Sequence, residues 1–360
     1  MFDVIVVGAG PAGTVAAKKC VEQGLRTLIL EKRMLPRDKV CSGMLLSKLA
    51  RALVQEEFGQ LPREVVLANL SGLILWLPSV GERKIAVDMP ITWRRDLDYW
   101  MNQRAKERGV EIWDGTSVKE INSNGNRCRV KLRKAGVKQE LETRFVIGAD
   151  GSNSVTRKSL FPELRVTYST AYRECYQGGL NIEKESSYIV FPFKQYRPSF
   201  WINPKGGCFT LEGGGLGELK DEIRSILAAS GFGEQKLLWK DSCVTRALLY
   251  QHLSSGSFSP AKGNILLVGD AAGLQIPVSG EGIGTALKSG VLAANSIVEA
   301  TRTGQTVSKI YVGELSPLLA TQHSYYIKLE EIKAQARKRP PAFLAVLTKA
   351  FEESIEAAEF

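Results

Sequence analysis

The tightest constraint on this chain lies at its start. A short apolar run, Phe2–Val7, passes directly into Gly8-Ala9-Gly10-Pro11-Ala12-Gly13. A Val/Ile run of this length suits a buried parallel strand. The residues Thr14–Gln23 read as a small-residue helix, Gly24 breaks it, and Arg26–Leu30 reads as a second strand ending at Glu31. Strand, glycine turn, helix, strand and terminal acid, in that order, make a βαβ unit for a dinucleotide. Gly8 permits the tight turn, Gly10 lets the backbone meet a pyrophosphate, and Gly13 lets helix and strand pack closely. A carboxylate at Glu31 suits both hydroxyls of an adenosine ribose and repels a 2′-phosphate, so NADP is disfavoured there. The motif alone leaves NAD and FAD both open.

Two later segments repeat the strand-then-turn pattern. Phe145–Ile147 runs into Gly148-Ala149-Asp150-Gly151, followed by Ser154 and Arg157. Ile265–Val268 ends at Gly269-Asp270, and Pro277, Gly280, Gly282 and Gly284 then open a helical run. A carboxylate at such a strand end can accept hydrogen bonds from a sugar-like hydroxyl chain. Glycines at a helix start let backbone N–H groups approach a phosphate or a planar ring. With the three motifs in this order, the sequence resembles the flavoprotein superfamily that has the para-hydroxybenzoate hydroxylase fold. The resemblance spans residues 1 to about 305. It implies FAD as the dinucleotide, with Gly8, Gly10, Pro11, Ala12, Gly13, Glu31, Lys32, Asp150, Gly151 and Gly269 around it. It further implies Asp270 on the ribityl chain and Arg94 near the phosphates, with Arg95 as the competing choice.

Within that superfamily, Pro36-Arg37-Asp38-Lys39-Val40-Cys41-Ser42-Gly43-Met44 and Pro277-Val278-Ser279-Gly280-Glu281-Gly282-Ile283 resemble segments of the geranylgeranyl reductase family. That family carries Pro-x-x-Lys-x-Cys-Gly-Gly in the first segment, where this chain has Ser42 for the first glycine of the pair. The resemblance implies that Cys41 lies near the flavin ring and that Gly280–Gly282 pack by its pyrimidine side, with Ser42, Gly43, Met44, Pro277 and Ile283 as further cofactor-binding residues. Cys41 and Glu281 are the catalytic candidates. Flanking Lys39 and Arg37 would favour a thiolate at Cys41; a small packing residue is the competing role. Glu281 is either a proton relay or an acid at a helix N-terminus.

The expected fold is α/β: a Rossmann-like FAD-binding domain with an inserted antiparallel β-sheet substrate domain and a helical C-terminal tail. The FAD-binding segments are 1–70, 94–164 and 259–305, the substrate segments 71–93 and 165–258, and the tail 306–360. In the substrate domain, strands are expected over Ser187–Phe191, Ser199–Ile202 and Cys208–Leu211, and a helix over Leu219–Ser230. Its aromatic residues suit a long apolar or aromatic ligand. Tyr188, Phe191, Phe200 and Trp201 are the substrate candidates, with Phe193 and Tyr196 nearby. The reductase family's aromatic-x-Trp-x-Phe-Pro segment is only partly kept. Ser199 and Asn203 stand at its aromatic and Phe positions, and Trp201 and Pro204 remain.

Composition narrows the remaining classes. Six cysteines without a CxxC pair and only two histidines argue for free thiols in a reducing compartment and against a metal site. No apolar run is long enough to span a membrane. The expected location is the cytoplasm, with contact at most at the periphery of a membrane. The net charge of +10 comes without a nucleic-acid recognition motif. It suits an anionic membrane surface or an acidic electron donor, and it equally suits solubility alone. NAD(P)H or a ferredoxin-like protein would serve as a transient donor. The expected activity is FAD-dependent reduction of carbon–carbon double bonds in a prenyl or other apolar substrate. The alternatives are an FAD-dependent monooxygenase and a non-enzymatic flavin sensor.

Overall fold

The computed structural model describes residues 1–78, 80–192, 199–217, 219–336 and 340–356. The N-terminal half runs β1 (Phe2–Val7), α1 (Pro11–Glu22), β2 (Thr27–Leu30), α2 (Lys48–Phe58), β3 (Val66–Leu77), β4 (Gly81–Thr92), α3 (Arg94–Glu107), β5 (Glu111–Trp113), β6 (Thr116–Ser123), β7 (Cys128–Lys134), β8 (Val137–Gly148) and α4 (Val155–Leu160). Then follow β9 (Thr167–Gln177), β10 (Ser186–Val190), β11 (Phe200–Pro204), β12 (Cys208–Gly213), α5 (Lys220–Ala228), β13 (Leu237–Leu248) and α6 (Tyr250–Ser254). The chain ends with β14 (Ala261–Lys262), β15 (Ile265–Leu267), α7 (Ile283–Thr303), α8 (Val307–Ala336) and α9 (Pro340–Glu356).

These strands form two sheets. The first has the order β14-β15-β8-β1-β2-β5, with β6 and β7 attached as an antiparallel extension of β8. Its inner strands β15, β8, β1, β2 and β5 are parallel. Val4–Val7 and Leu28–Leu30 are buried, which explains their unbroken apolar sequence. The second sheet has the order β13-β9-β12-β11-β10-β3-β4 and is antiparallel except where β10 meets β3. Helix α5 covers one of its faces through Ile202, Leu211, Ile223 and Leu227. Helix α9 packs on the other through Phe343, Leu347 and Phe351.

Backbone contact fixes the first unit. Gly8 has φ +106°, and a Cβ there would lie 2.4 Å from the Ala149 carbonyl oxygen. At Gly13, a Cβ would lie 2.0 Å from the Gly8 carbonyl oxygen. Helix α7 comes equally close to α1: a Cβ on Gly290 would lie 2.4 Å from the Ala12 carbonyl oxygen. Helix α8 then grips the segment before α7. Tyr311 donates to the Leu267 carbonyl at 2.8 Å, and Gln322 donates to those of Gly273 and Gln275.

Several sequence expectations shift. Helix α1 begins at Pro11, three residues before the expected Thr14, because proline is tolerated in a first turn that has no amide partner to lose. Helix α2 begins at Lys48 with Ser47 as its cap, the Ser47 Oγ accepting from the Ala50 amide at 3.0 Å. The β3–β4 hairpin begins at Val66, inside the expected 1–70 segment. Strands β9 and β13 went unrecognised. Both carry charged residues on the face toward the cavity, Arg173 and Asp241, which disguises the alternation. Phe193 and Tyr196 lie outside the described residues.

The packing makes a stability prediction. Gly290→Ala forces α7 away from α1 and costs about 1–3 kcal/mol. Gly313→Ala, on the exposed face of α8 with nothing within 4 Å of its Cβ position, gains up to about 1 kcal/mol of helix propensity. Thermal unfolding of the two variants moves the midpoint in opposite directions. Equal midpoints would refute the close-contact account.

Candidate functional site

The carboxyl ends of β1, β2, β8 and β15 open into a cavity of about 1900 Å³. That is roughly twice the upper end of the ~300–1,000 Å³ usual for one small ligand, so the space suits a cofactor and a substrate together. One arm runs over the glycine turn of β1. Gly8, Gly10, Pro11, Ala12, Glu31 and Lys32 line it. Gly13 lies behind the wall, packed on Gly8. A Cβ on Gly10 would meet only the Arg37 Nη2, at 3.5 Å, so its backbone faces open space. This cradle and the N-terminus of α1 fit a dinucleotide pyrophosphate.

A buried chain of charges borders the cradle. Glu31 accepts from the amides of Ala9 and Arg33, each at 3.0 Å, and its Oε2 lies 3.2 Å from the Arg37 Nε. Arg37 continues to Asp98 at 3.3 Å. Asp98 takes Arg94 in a two-pronged contact at 2.8 and 3.0 Å. Burial opposes the charge on Arg94, but Asp98 and Cys41 outweigh it and raise its pKa. Arg94 is therefore the buried arginine of the pair, while Arg95 is exposed on the cavity rim. Arg37 was missed as a site residue: its sequence position marks only a neighbour of Cys41, and its partners come from β2 and α3. Asn102 was missed too. It donates to the Ala9 carbonyl and to Thr14, and its Oδ1 has no partner.

The other strand ends differ in role. Asp150 lines the cavity, but its oxygens accept from Ser154 and Thr156, so it shapes the turn into α4. Gly151 lies beside it on the wall. Arg157 is buried and ties this turn to the next, donating to the carbonyls of Ser152 and Ala271. Asp270 faces the cavity; Lys39 sits 3.0 Å from its Oδ2 and Gln275 donates to its Oδ1. Burial opposes its ionisation, yet Lys39 and Gln275 prevail and hold its pKa below the usual value. Gly269 lies under the wall, its amide donating to Ser289. Pro277, Gly280, Gly282 and Ile283 line the adjoining edge. Glu281 touches the wall, but its carboxylate accepts from the Gly284 amide in the first turn of α7. Burial pushes its pKa up while those backbone donors oppose the rise. The geometry is that of a helix-terminal acid.

Cys41 stands where the two arms meet. The expected flanking cations are engaged elsewhere, Lys39 with Asp270 and Arg37 with Glu31 and Asp98. Its electrostatic neighbours are Arg94, Arg173 and Lys205 instead. The loop is clamped from the second sheet and from β4. Arg173 donates to the Cys41 carbonyl at 3.3 Å, Lys205 to those of Ser42 and Thr92, and Thr92 to that of Gly43. Gly43, with φ +71°, lies against Thr92 and off the wall; Ser42 and Met44 are on it.

The second arm is apolar, walled by Met44, Phe191, Trp201, Phe343, Leu347 and Phe351. Phe191 meets Phe343 edge to face at 5.8 Å, and Trp201 lies 6.5 Å from Phe351. Tyr188 and Phe200 do not belong here, contrary to expectation. Strand alternation turns them into the core under α5, where Tyr188 accepts from the Glu183 amide. The contribution of α9 was also missed, because amphipathic periodicity does not say what an apolar face covers.

Comparison with known proteins agrees with this cofactor geometry. Two models described as FAD binding domain match residues 3–37 and 84–187. A geranylgeranyl diphosphate reductase of Rhodobacter capsulatus is 28% identical over 84% of this chain and 77% of its own. A solved geranylgeranyl bacteriochlorophyll reductase-like protein of Thermoplasma acidophilum superposes with a TM-score of 0.77 at 18% identity, covering 99% of this chain and 92% of that one. FAD is thus the dinucleotide of the cradle. A digeranylgeranylglycerophospholipid reductase of Methanopyrus kandleri is 30% identical over 85% of this chain and 82% of its own, and at that identity and coverage the chain belongs to the geranylgeranyl reductase family of FAD-dependent oxidoreductases.

Proposed function

We propose that this protein reduces carbon–carbon double bonds of a prenyl chain carried on a lipid or a diphosphate. The observation that carries the reading is the continuity of the cavity. The glycine cradle, the Cys41 loop and the apolar wall of Phe191, Trp201 and Phe351 all line one cavity. The relatives named as reductases act on geranylgeranyl substrates, and an apolar arm of this kind suits such a chain.

FAD, once reduced, supplies the hydride. The residues of this chain bind, orient and exclude water. The Gly10 turn and the α1 N-terminus take the pyrophosphate. Glu31 takes the ribose hydroxyls, and Asp270, held by Lys39 and Gln275, takes hydroxyls of the ribityl chain. Arg94 and Arg37 neutralise the phosphates from the side. The clamped Cys41 loop sets the floor on which the reacting bond rests. Trp201, Phe191 and Phe351 hold the chain and keep water from it. The reductant is a small donor, a nicotinamide or an acidic electron-transfer protein, suited to the net charge of +10. No helix among the described residues is long and apolar enough to cross a membrane.

The test is anaerobic. FAD-loaded protein reduced with dithionite should be reoxidised by a geranylgeranyl lipid or diphosphate, giving a product heavier by two hydrogens per reduced bond. No reoxidation across such a panel would sink the reading. Oxygen-dependent turnover to a hydroxylated product would replace it with a monooxygenase. Glu31→Ala weakens FAD binding about 10- to 100-fold, as loss of charge-assisted hydrogen bonds predicts; titration by flavin fluorescence measures it, and unchanged affinity contradicts the assignment. Phe351→Ala raises KM for a geranylgeranyl chain about 10-fold or more with little change in FAD affinity. An unchanged KM would place the chain elsewhere.

A further inference from the structure

The cavity face of the second sheet changes character across its strands. A row of paired residues, Ile189, Trp201, Glu212, Arg173 and Asp241, crosses β10, β11, β12, β9 and β13 and lines the cavity. Glu212 sits at the junction, with the apolar arm on its Trp201 side and the charged cluster on its Arg173 side. The next row lies deeper, off the cavity wall: Asn203 pairs with Thr210, and Thr210 with Cys175. Continuing the β10–β11 register by one residue puts Ser187 beside Asn203. Glu212 joins the two rows, since Asn203 donates to its Oε1 at 3.0 Å.

This deeper row is short of partners. Of the seven unpartnered buried side-chain polar atoms among the described residues, three fall in this row, Ser187 Oγ, Asn203 Oδ1 and Thr210 Oγ1, and a fourth, Glu212 Oε2, adjoins it. Such atoms are destabilising when left dry, and internal water satisfies groups of this kind with about two to four bonds apiece. Asn203 also stands where the resembling family has Phe, so the polar row occupies space that an aromatic ring would fill.

We propose that Glu212 is the proton-supplying group of this enzyme, recharged by internal water held by Ser187, Asn203 and Thr210. The inference rests on the reductase reading above. Reduction of the double bond takes a hydride, with its two electrons, at one carbon and a proton at the other. The carboxyl O–H of Glu212 breaks, directly or through one water, and its proton forms the second C–H bond as the π bond is consumed. Water reprotonates the carboxylate. Charge and burial around Glu212 agree. Burial raises its pKa; Lys205 and Arg173 oppose the rise, and Asp241 reinforces it. Lys205, facing both Glu212 and Cys41, is itself lowered to about 8, burial being the largest cause. Glu212 therefore holds its proton below its raised pKa, and the supply fails as pH rises through it.

Two measurements on the FAD-loaded protein decide the matter. Infrared difference spectra should show a protonated-carboxyl C=O band that shifts in D2O and is missing from Glu212→Gln, a change that keeps the shape and the Asn203 contact. Thr210→Val should keep the band and slow its hydrogen–deuterium exchange. In single-turnover reoxidation by a geranylgeranyl lipid, Glu212→Gln should be slower by about 10²-fold or more and should lose the alkaline decline of the wild type. Equal flavin content and melting temperature show that the variant is folded. A band that survives in Glu212→Gln, a wild-type rate and pH profile in that variant, or unchanged exchange in Thr210→Val overturns the proposal. If wild-type protein is not reoxidised by any such lipid, the reductase reading fails, and the infrared band still decides separately whether Glu212 holds a proton.

Discussion

The structure depends on three backbones lying in contact. Helix α1 can approach the first sheet only because Gly8 and Gly13 have no side chains, and α7 can approach α1 only because Gly290 has none. That contact aims the α1 N-terminus at the cavity and sets the Gly10 turn in front of it. It also brings the start of α7, with Gly280 and Gly282, to the opposite edge of the same space. Segments separated by most of the sequence thereby become two sides of one cofactor site. The energetic logic is packing density: interiors leave no slack for even one added carbon at such positions.

The buried charges are arranged on the same principle of economy. Glu31, Arg37, Asp98 and Arg94 form a continuous series of opposite charges. Removing one member leaves its neighbour buried without compensation, which is far costlier than the pair is worth. The series keeps two guanidinium groups at the cradle wall without a ligand present. The Cys41 loop is held by a second set of cations, Arg173 and Lys205, that reach across from the other sheet. The second sheet is therefore tied through this loop to the segment that follows β2.

What the sequence discloses follows from which interactions are local. The β1–α1–β2 unit is written in adjacent residues, each with a conformational reason, and it was legible from Phe2 to Glu31. The strand ends at Asp150 and Asp270 were legible as turns, but their protein partners were not: Asp150 accepts from Ser154 and Thr156, and Asp270 is held by Lys39, 231 residues away. Side-chain direction was the weakest point. Tyr188 and Phe200 carry the right chemistry for a substrate wall but face α5, because a strand turns alternate residues to opposite faces and composition does not say which. Strands β9 and β13 hid because a charged pair, Arg173 with Asp241, sits on their inner face. Such a pair has a partner only after the sheet has formed.

The grip of α8 on the segment around Asp270 reaches beyond geometry. Tyr311 and Gln322 hold the backbone that presents this carboxylate, and α8 packs on α9, which walls the apolar arm. The two arms of the cavity thus share one mechanical support. The tail of the chain thereby braces both arms from outside the βαβ unit that opens the fold.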